Sequence, residues 1–171
     1  MAVDADHLRI RTYPDPVLKQ TAQPIERIDD EVRAVVARMI ELMHAARGVG
    51  LAAPQVGLLW RMFVANPTNT VGDDRVYINP VLSDPTRELS EYEEGCLSIP
   101  NVLANIRRPL GITIEATNLD GETVTERSEE MPARVWQHET DHLDGTLIMD
   151  RMSPIDKMAN RRALKELAAS K

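Results

Sequence analysis

His138 and His142 stand four residues apart in the run His138-Glu139-Thr140-Asp141-His142. On a helix that spacing turns the second imidazole only about 40° from the first, so both point the same way. A pair so placed can hold one metal ion, with Glu139 beside it as a base. The chain has one cysteine, Cys96, upstream in Glu94-Gly95-Cys96-Leu97-Ser98. Its thiolate as third ligand leaves one coordination position for water, the mark of a catalytic metal. A lone cysteine is most often a small buried apolar residue. Gly95 beside it argues against a plain core strand, because glycine weakens strands and marks close backbone approach.

A third segment, Gly48-Val49-Gly50-Leu51-Ala52-Ala53-Pro54-Gln55, is small, apolar and turn-prone. No Lys-Ser/Thr follows it and its spacing is not the dinucleotide fingerprint, so it is not a phosphate loop. It reads as a tight loop whose backbone approaches a substrate, with the Gln55 amide offered to a developing oxyanion.

These residues need elements to position them. Asp29 or Asp30 can cap a first helix running to about Ala46. Its apolar positions Val32, Val35, Val36, Met39, Leu42 and Met43 fall on one face, and Gly48 is expected to stop it. Strands are predicted over 60–65, 75–82, 88–93, 111–118 and 122–131, the last two joined by a hairpin turn at Leu119-Asp120-Gly121. Pro132 suits the first turn of the metal helix, and Gly145 ends it. Ser153 and Asp156 open one final helix with Met158, Leu164 and Leu167 facing inward. Strands in the middle and helices at both ends predict an α+β class, with residues 1–171 as a single domain.

Composition narrows the function. A chain of 171 residues fits one domain with a real core. Residues 1–10 carry no apolar signal region, and no apolar run approaches the roughly 18 residues of a membrane span. One cysteine and a thiolate ligand point to the reducing cytoplasm. The net charge of −7 argues against DNA as a partner. From Arg151 to Lys171, however, six basic residues face two acidic ones, a net of +4 that leaves −11 on the rest. That basic end is either a solvated helix face or a docking surface for anions.

Taken together, G-x-G-L-A-A-x-Q at 48–55, E-G-C-L-S at 94–98 and H-E-x-D-H at 138–142 resemble the signature segments of the peptide deformylases. Tyr13-Pro14-Asp15-Pro16-Val17-Leu18, Ile78-Asn79-Pro80, Gln137 and Leu143-Asp144-Gly145 extend the likeness over nearly the whole chain. The resemblance implies small antiparallel sheets around a central metal-binding helix, with helices at the N- and C-terminal ends. It implies removal of the formyl group from the N-terminal formyl-methionine of new polypeptides, with release of formate. Cys96, His138 and His142 are then the metal ligands, and Glu139, the Gln55 amide and the Leu97 N–H are catalytic. Val49, Gly50, Glu94, Gly95, Arg134 and Val135 would bind substrate. The implied metal is ferrous iron; zinc, nickel or cobalt also suit sulfur and imidazole ligands. The basic final helix would dock the enzyme on the ribosome surface. Thr140 stands where the family more often has a large apolar residue, and Asn101 where glycine is frequent. Asp141 either supports a metal ligand from behind or faces solvent.

Two other readings share these residues. One is a metal-dependent hydrolase acting on another small N-formyl compound. The other is a metal-binding or ribosome-associated protein without turnover. A metalloprotease fits less well, because its third ligand would usually lie downstream of the histidines.

Overall fold

The computed structural model describes residues 3–170. Helix α1 (Asp30–Ala45) starts at Asp29, whose carboxylate accepts the Val32 N–H at 3.1 Å. It buries Val32, Val35, Val36, Met39 and Met43, as the periodicity predicts, while Leu42 is only partly covered. The stop differs from expectation. Arg47, with φ 56°, takes the left-handed conformation, and Gly48 N–H reaches back to the Met43 carbonyl at 2.9 Å.

Five strands form one antiparallel sheet in the order β1 (Gly50–Ala52), β2 (Met62–Ala65), β3 (Arg75–Ser83), β6 (Ile112–Thr117) and β7 (Thr123–Ser128). Strand β2 shows how the two faces are used. Met62 and Val64 pack with α1, whereas Phe63 and Ala65 face helix α2 (Met131–Leu143). This is the two-residue alternation of a strand covered on both sides. Trp136 of α2 meets Tyr77 edge-on at 6.1 Å, and Tyr77 stacks on Phe63 at 4.9 Å. The metal helix is therefore anchored in the core by large aromatic area.

A second sheet is the hairpin of β4 (Leu89–Cys96) and β5 (Ile99–Pro109). The sequence reading ended β4 at Glu93 and missed β5, the longest strand of the fold. Its alternation is present: Ile99, Val102, Ala104, Ile106 and Arg108 are buried, and Leu103, Asn105 and Arg107 are exposed. Pro100 at its start and a charged residue on the inner row disguise it. Asn101, where glycine is frequent in the family, has φ 64°, a left-handed conformation that asparagine tolerates.

The end of the chain also departs from expectation. After α3 (Ile148–Arg151), the Ser153 hydroxyl caps α4 (Pro154–Ala159) by accepting the Asp156 N–H at 3.1 Å. Asn160 then separates α4 from α5 (Arg161–Ala169), donating its side-chain amide to the carbonyls of Asp156 and Leu103. There are two short helices where one was expected. Met158 is 76% exposed and not inward-facing, because the break at Asn160 turns its face away from the core. Leu164 and Leu167 do pack inward, against the cluster of Leu18, Ile99 and Ile106. Lys171 lies outside the described residues. Among them, no helix is long and apolar enough to cross a membrane.

Candidate metal centre and substrate groove

Helix α2 turns His138 and His142 toward the β4–β5 hairpin. The two Nε2 atoms are 3.3 Å apart, and Cys96 Sγ is 3.3 Å from His142 Nε2. All three donor atoms lie within 4.8 Å of one another. Three soft or borderline donors converging on one point fit a small divalent cation.

The tautomer of His138 follows from its neighbour. Its Nδ1 lies 3.0 Å from Glu94 Oε2. Burial opposes ionisation of Glu94, but hydrogen bonds from Arg108 and His138 outweigh it and hold the carboxyl well below the usual range. An ionised carboxylate only accepts, so His138 donates from Nδ1; burial opposes a second proton on the ring, but hydrogen bonds with Cys96 and Glu94 outweigh it and push the pKa up to about 10, so a metal at Nε2 displaces that proton. His142 is 1% exposed, and burial above all, with the nearby Arg108 charge, keeps its pKa well below the ordinary value. It stays neutral, as a ligand must.

Glu94 is the hub of a buried network. Arg108 donates to both its oxygens, Nε to Oε1 at 2.7 Å and Nη2 to Oε2 at 2.9 Å. Arg134 Nη1 donates to Oε1 at 2.7 Å. Arg108 also reaches Asp141 Oδ2 at 2.8 Å, so Asp141 supports the metal ligand from behind, through Arg108 and Glu94. Glu94 and Arg134 both line the groove, with their charged ends paired and the Glu94 carboxylate also on His138.

Glu139 is 4% exposed, and burial pushes its pKa up to about 7. Its Oε2 has no hydrogen-bond partner. A carboxyl with a free oxygen and a pKa near neutrality can both take and return a proton. Gly50 makes room for it: a Cβ there would sit 2.8 Å from Glu139 Cδ. Gly48 likewise leaves space for Leu97, whose Cδ1 would be 2.6 Å from an added Cβ. Gly50 is thus required by Glu139, whereas at Gly48 only the end of the flexible Leu97 side chain would have to shift.

Gln55 is held at both ends. Its Oε1 accepts the Ala52 N–H at 2.9 Å, and its Nε2 donates to Ser98 Oγ at 3.0 Å and approaches Cys96 Sγ at 3.6 Å. The donor end therefore faces the metal cluster. Leu97 sits in the turn between β4 and β5, beside it.

A groove of about 630 Å³ runs over these groups. It brings together Val49, Gly50, Gln55, Glu94, Gly95, Cys96, Leu97, Arg134, Val135, His138 and Glu139, while His142 lies behind the wall. Its apolar share also comes from Val102, Leu103 and Met131, which the sequence reading missed. Recognising the alternation of β5 would have supplied the first two.

The polypeptide deformylase family model matches residues 7–158. The chain belongs to the polypeptide deformylase family. A peptide deformylase of Thermotoga neapolitana is 42% identical over 95% of this chain and 97% of its own length. One from Maricaulis maris is 42% identical over 95% and 94%. Among solved structures, the peptide deformylase of Plasmodium falciparum superposes with a TM-score of 0.89 at 33% identity, covering 93% of this chain and 94% of its own. That of Thermotoga maritima gives 0.82 at 44% identity, covering 86% and 98%. Family and donor set together indicate a divalent metal.

Proposed function

We propose that this chain is a metal-dependent hydrolase that removes the formyl group from the N-terminal formyl-methionine of newly made polypeptides. The observation that carries the reading is the convergence of Cys96, His138 and His142 within 4.8 Å of one another, Cys96 and His138 lining an open groove and His142 just behind them, with the unpartnered oxygen of Glu139 beside them. A divalent ion held by these ligands supplies Lewis acidity, lowering the pKa of water towards about 7 and polarising a carbonyl. Glu139 takes the proton of the attacking water and returns it to the departing amine. Gln55 Nε2 and the Leu97 N–H donate to the oxyanion that develops on the formyl group. Val49, Gly50, Gly95 and Val135 bind the substrate, with Val135 beside the methionine side chain, while Glu94 and Arg134 act indirectly by holding His138 and the groove wall. We assign ferrous iron as the metal, the cytoplasm as the compartment, and the ribosome surface as a partner of the basic α5 face.

Formate release from a formyl-Met tripeptide, measured with and without a chelator, tests this function. Turnover that the chelator abolishes and added ferrous iron restores is expected. Stable turnover in excess chelator would remove the metal from the reaction. Release that is faster from small N-formyl amines than from formyl-Met peptides would favour the other N-formyl substrate class. An apolar pocket discriminates by about 1–3 kcal/mol per methylene. Formyl-Met peptides should therefore exceed formyl-Leu, and both should far exceed formyl-Asp.

A further inference from the structure

A second cleft, of about 490 Å³, opens behind the metal helix and shares no lining residue with the substrate groove. Four guanidinium groups face it, from Arg61, Arg107, Arg108 and Arg151, against the carboxylates of Asp141 and Asp144. Arg108 is committed on both sides, to Glu94 and to Asp141. Arg61 gives one N–H to Asp144, and Arg151 gives two to Asp141. Each guanidinium has five, so both keep donors to spare. Arg107 has no ion pair or side-chain hydrogen bond among the described residues. The pairs of Arg61 and Arg151 each have a well-exposed member, so water screens them and an incoming anion can share their cations.

Thr140 forms part of the same wall. It is only 8% exposed, yet its hydroxyl has no partner. A larger apolar side chain at this position would extend into the cleft instead of leaving it open. The opposite wall is apolar: Val81 and Leu82 follow the bulge where β3 loses register with β6, and Ile112 lies beside them. Val81 is 60% exposed, a large apolar surface with nothing laid on it.

We propose that this cleft binds an organic carboxylate. Arg107 and Arg151 take the two oxygens in charge-assisted hydrogen bonds, and the hydrocarbon body covers Val81 and Leu82. An inorganic oxyanion would satisfy the arginines but leave the apolar wall bare.

Titration of ¹⁵N-labelled, zinc-loaded protein with hexanoate, inorganic phosphate and hexylamine tests this. Hexanoate should give saturable shifts at the amides of Val81, Arg107 and Ile112, with those of Gly50 and Leu97 unmoved. Phosphate should bind at least about tenfold more weakly, and hexylamine not at all. The double variant Arg107→Gln/Arg151→Gln, and separately Thr140→Leu, should each weaken hexanoate by about tenfold or more, while Arg107→Gln alone should hydrolyse a short formyl-Met peptide at the wild-type rate. The proposal is overturned by absence of saturation, by shifts confined to Gly50 and Leu97, by equal affinity for phosphate, or by undiminished hexanoate binding in the double variant.

Discussion

Arg134–Glu94 and Arg162–Glu166 are arginine–carboxylate pairs of nearly the same length, 2.7 and 2.8 Å. The side chains of the first are 9% and 5% exposed, those of the second 91% and 65%. In the first, both members have further partners: Arg134 also reaches the Ser90 hydroxyl and the Ile106 carbonyl, and Glu94 also accepts from Arg108 and His138. In the second, water screens both groups and the pair stands alone on α5, where it contributes little. Length does not separate the two pairs; burial and connectivity do. Fixed polar order is concentrated where a metal ligand must be aimed, and the C-terminal helix is attached by Leu164 and Leu167 instead.

Substitutions around α2 should therefore be costly, and those on α5 mild. The largest effect is expected from Cys96→Ala. Two histidines alone make an incomplete site, so bound metal and activity should both disappear in metal analysis and formate assay. Stoichiometric metal with full turnover would remove Cys96 from the ligand set.

Glu94→Gln comes next. It leaves the buried Arg134 without a carboxylate and Arg108 with Asp141 alone, and loss of one partner of a buried pair costs about 3–5 kcal/mol. Urea denaturation should show a loss of this order. The pH dependence has a definite sign. Because the folded-state pKa of Glu94 is lowered, its contribution is full above the unfolded value of about 4.3 and is lost as pH falls through the folded one. Between about pH 5 and pH 3 the wild-type Tm should fall more steeply than that of Glu94→Gln. Parallel slopes would show that the network does not depend on the carboxylate charge.

The smallest catalytic effect is expected on α5. Charge reversal at Arg161, Arg162 and Lys165 should leave hydrolysis of a short formyl-Met peptide nearly unchanged. Ribosome co-sedimentation should fall at low salt, since phosphate contacts weaken steeply with salt. Unaltered co-sedimentation would confine this face to solubility; lost hydrolysis would erase the contrast between the two regions.

The same contrast explains what was readable beforehand. That His138, His142, Cys96, Glu139 and Gln55 come together was legible, because the chemistry admits few residue types at those spacings. Helix α1 and the β6–β7 hairpin were legible from periodicity and a turn signal. The buried contacts of Glu94 were not, because Arg108 reaches it only through the pairing of β4 with β5. The break at Asn160 was hidden for a related reason: its side chain is held by the Leu103 carbonyl, 57 residues away in sequence. What local pattern encodes could be read, and what long-range polar contacts impose could not.

The central claim is that three residues hold the metal while Glu139 moves the proton. Glu139→Gln separates the two roles, since the amide keeps the shape of the buried side chain but cannot accept a proton. The decisive measurement is metal content and formyl-Met peptide turnover on the same preparation of this variant. The account predicts one metal per chain, as in the wild type, with turnover reduced by at least about 10², the low end for a lost acid–base group. Metal lost in parallel with activity, or turnover close to wild type, would contradict it.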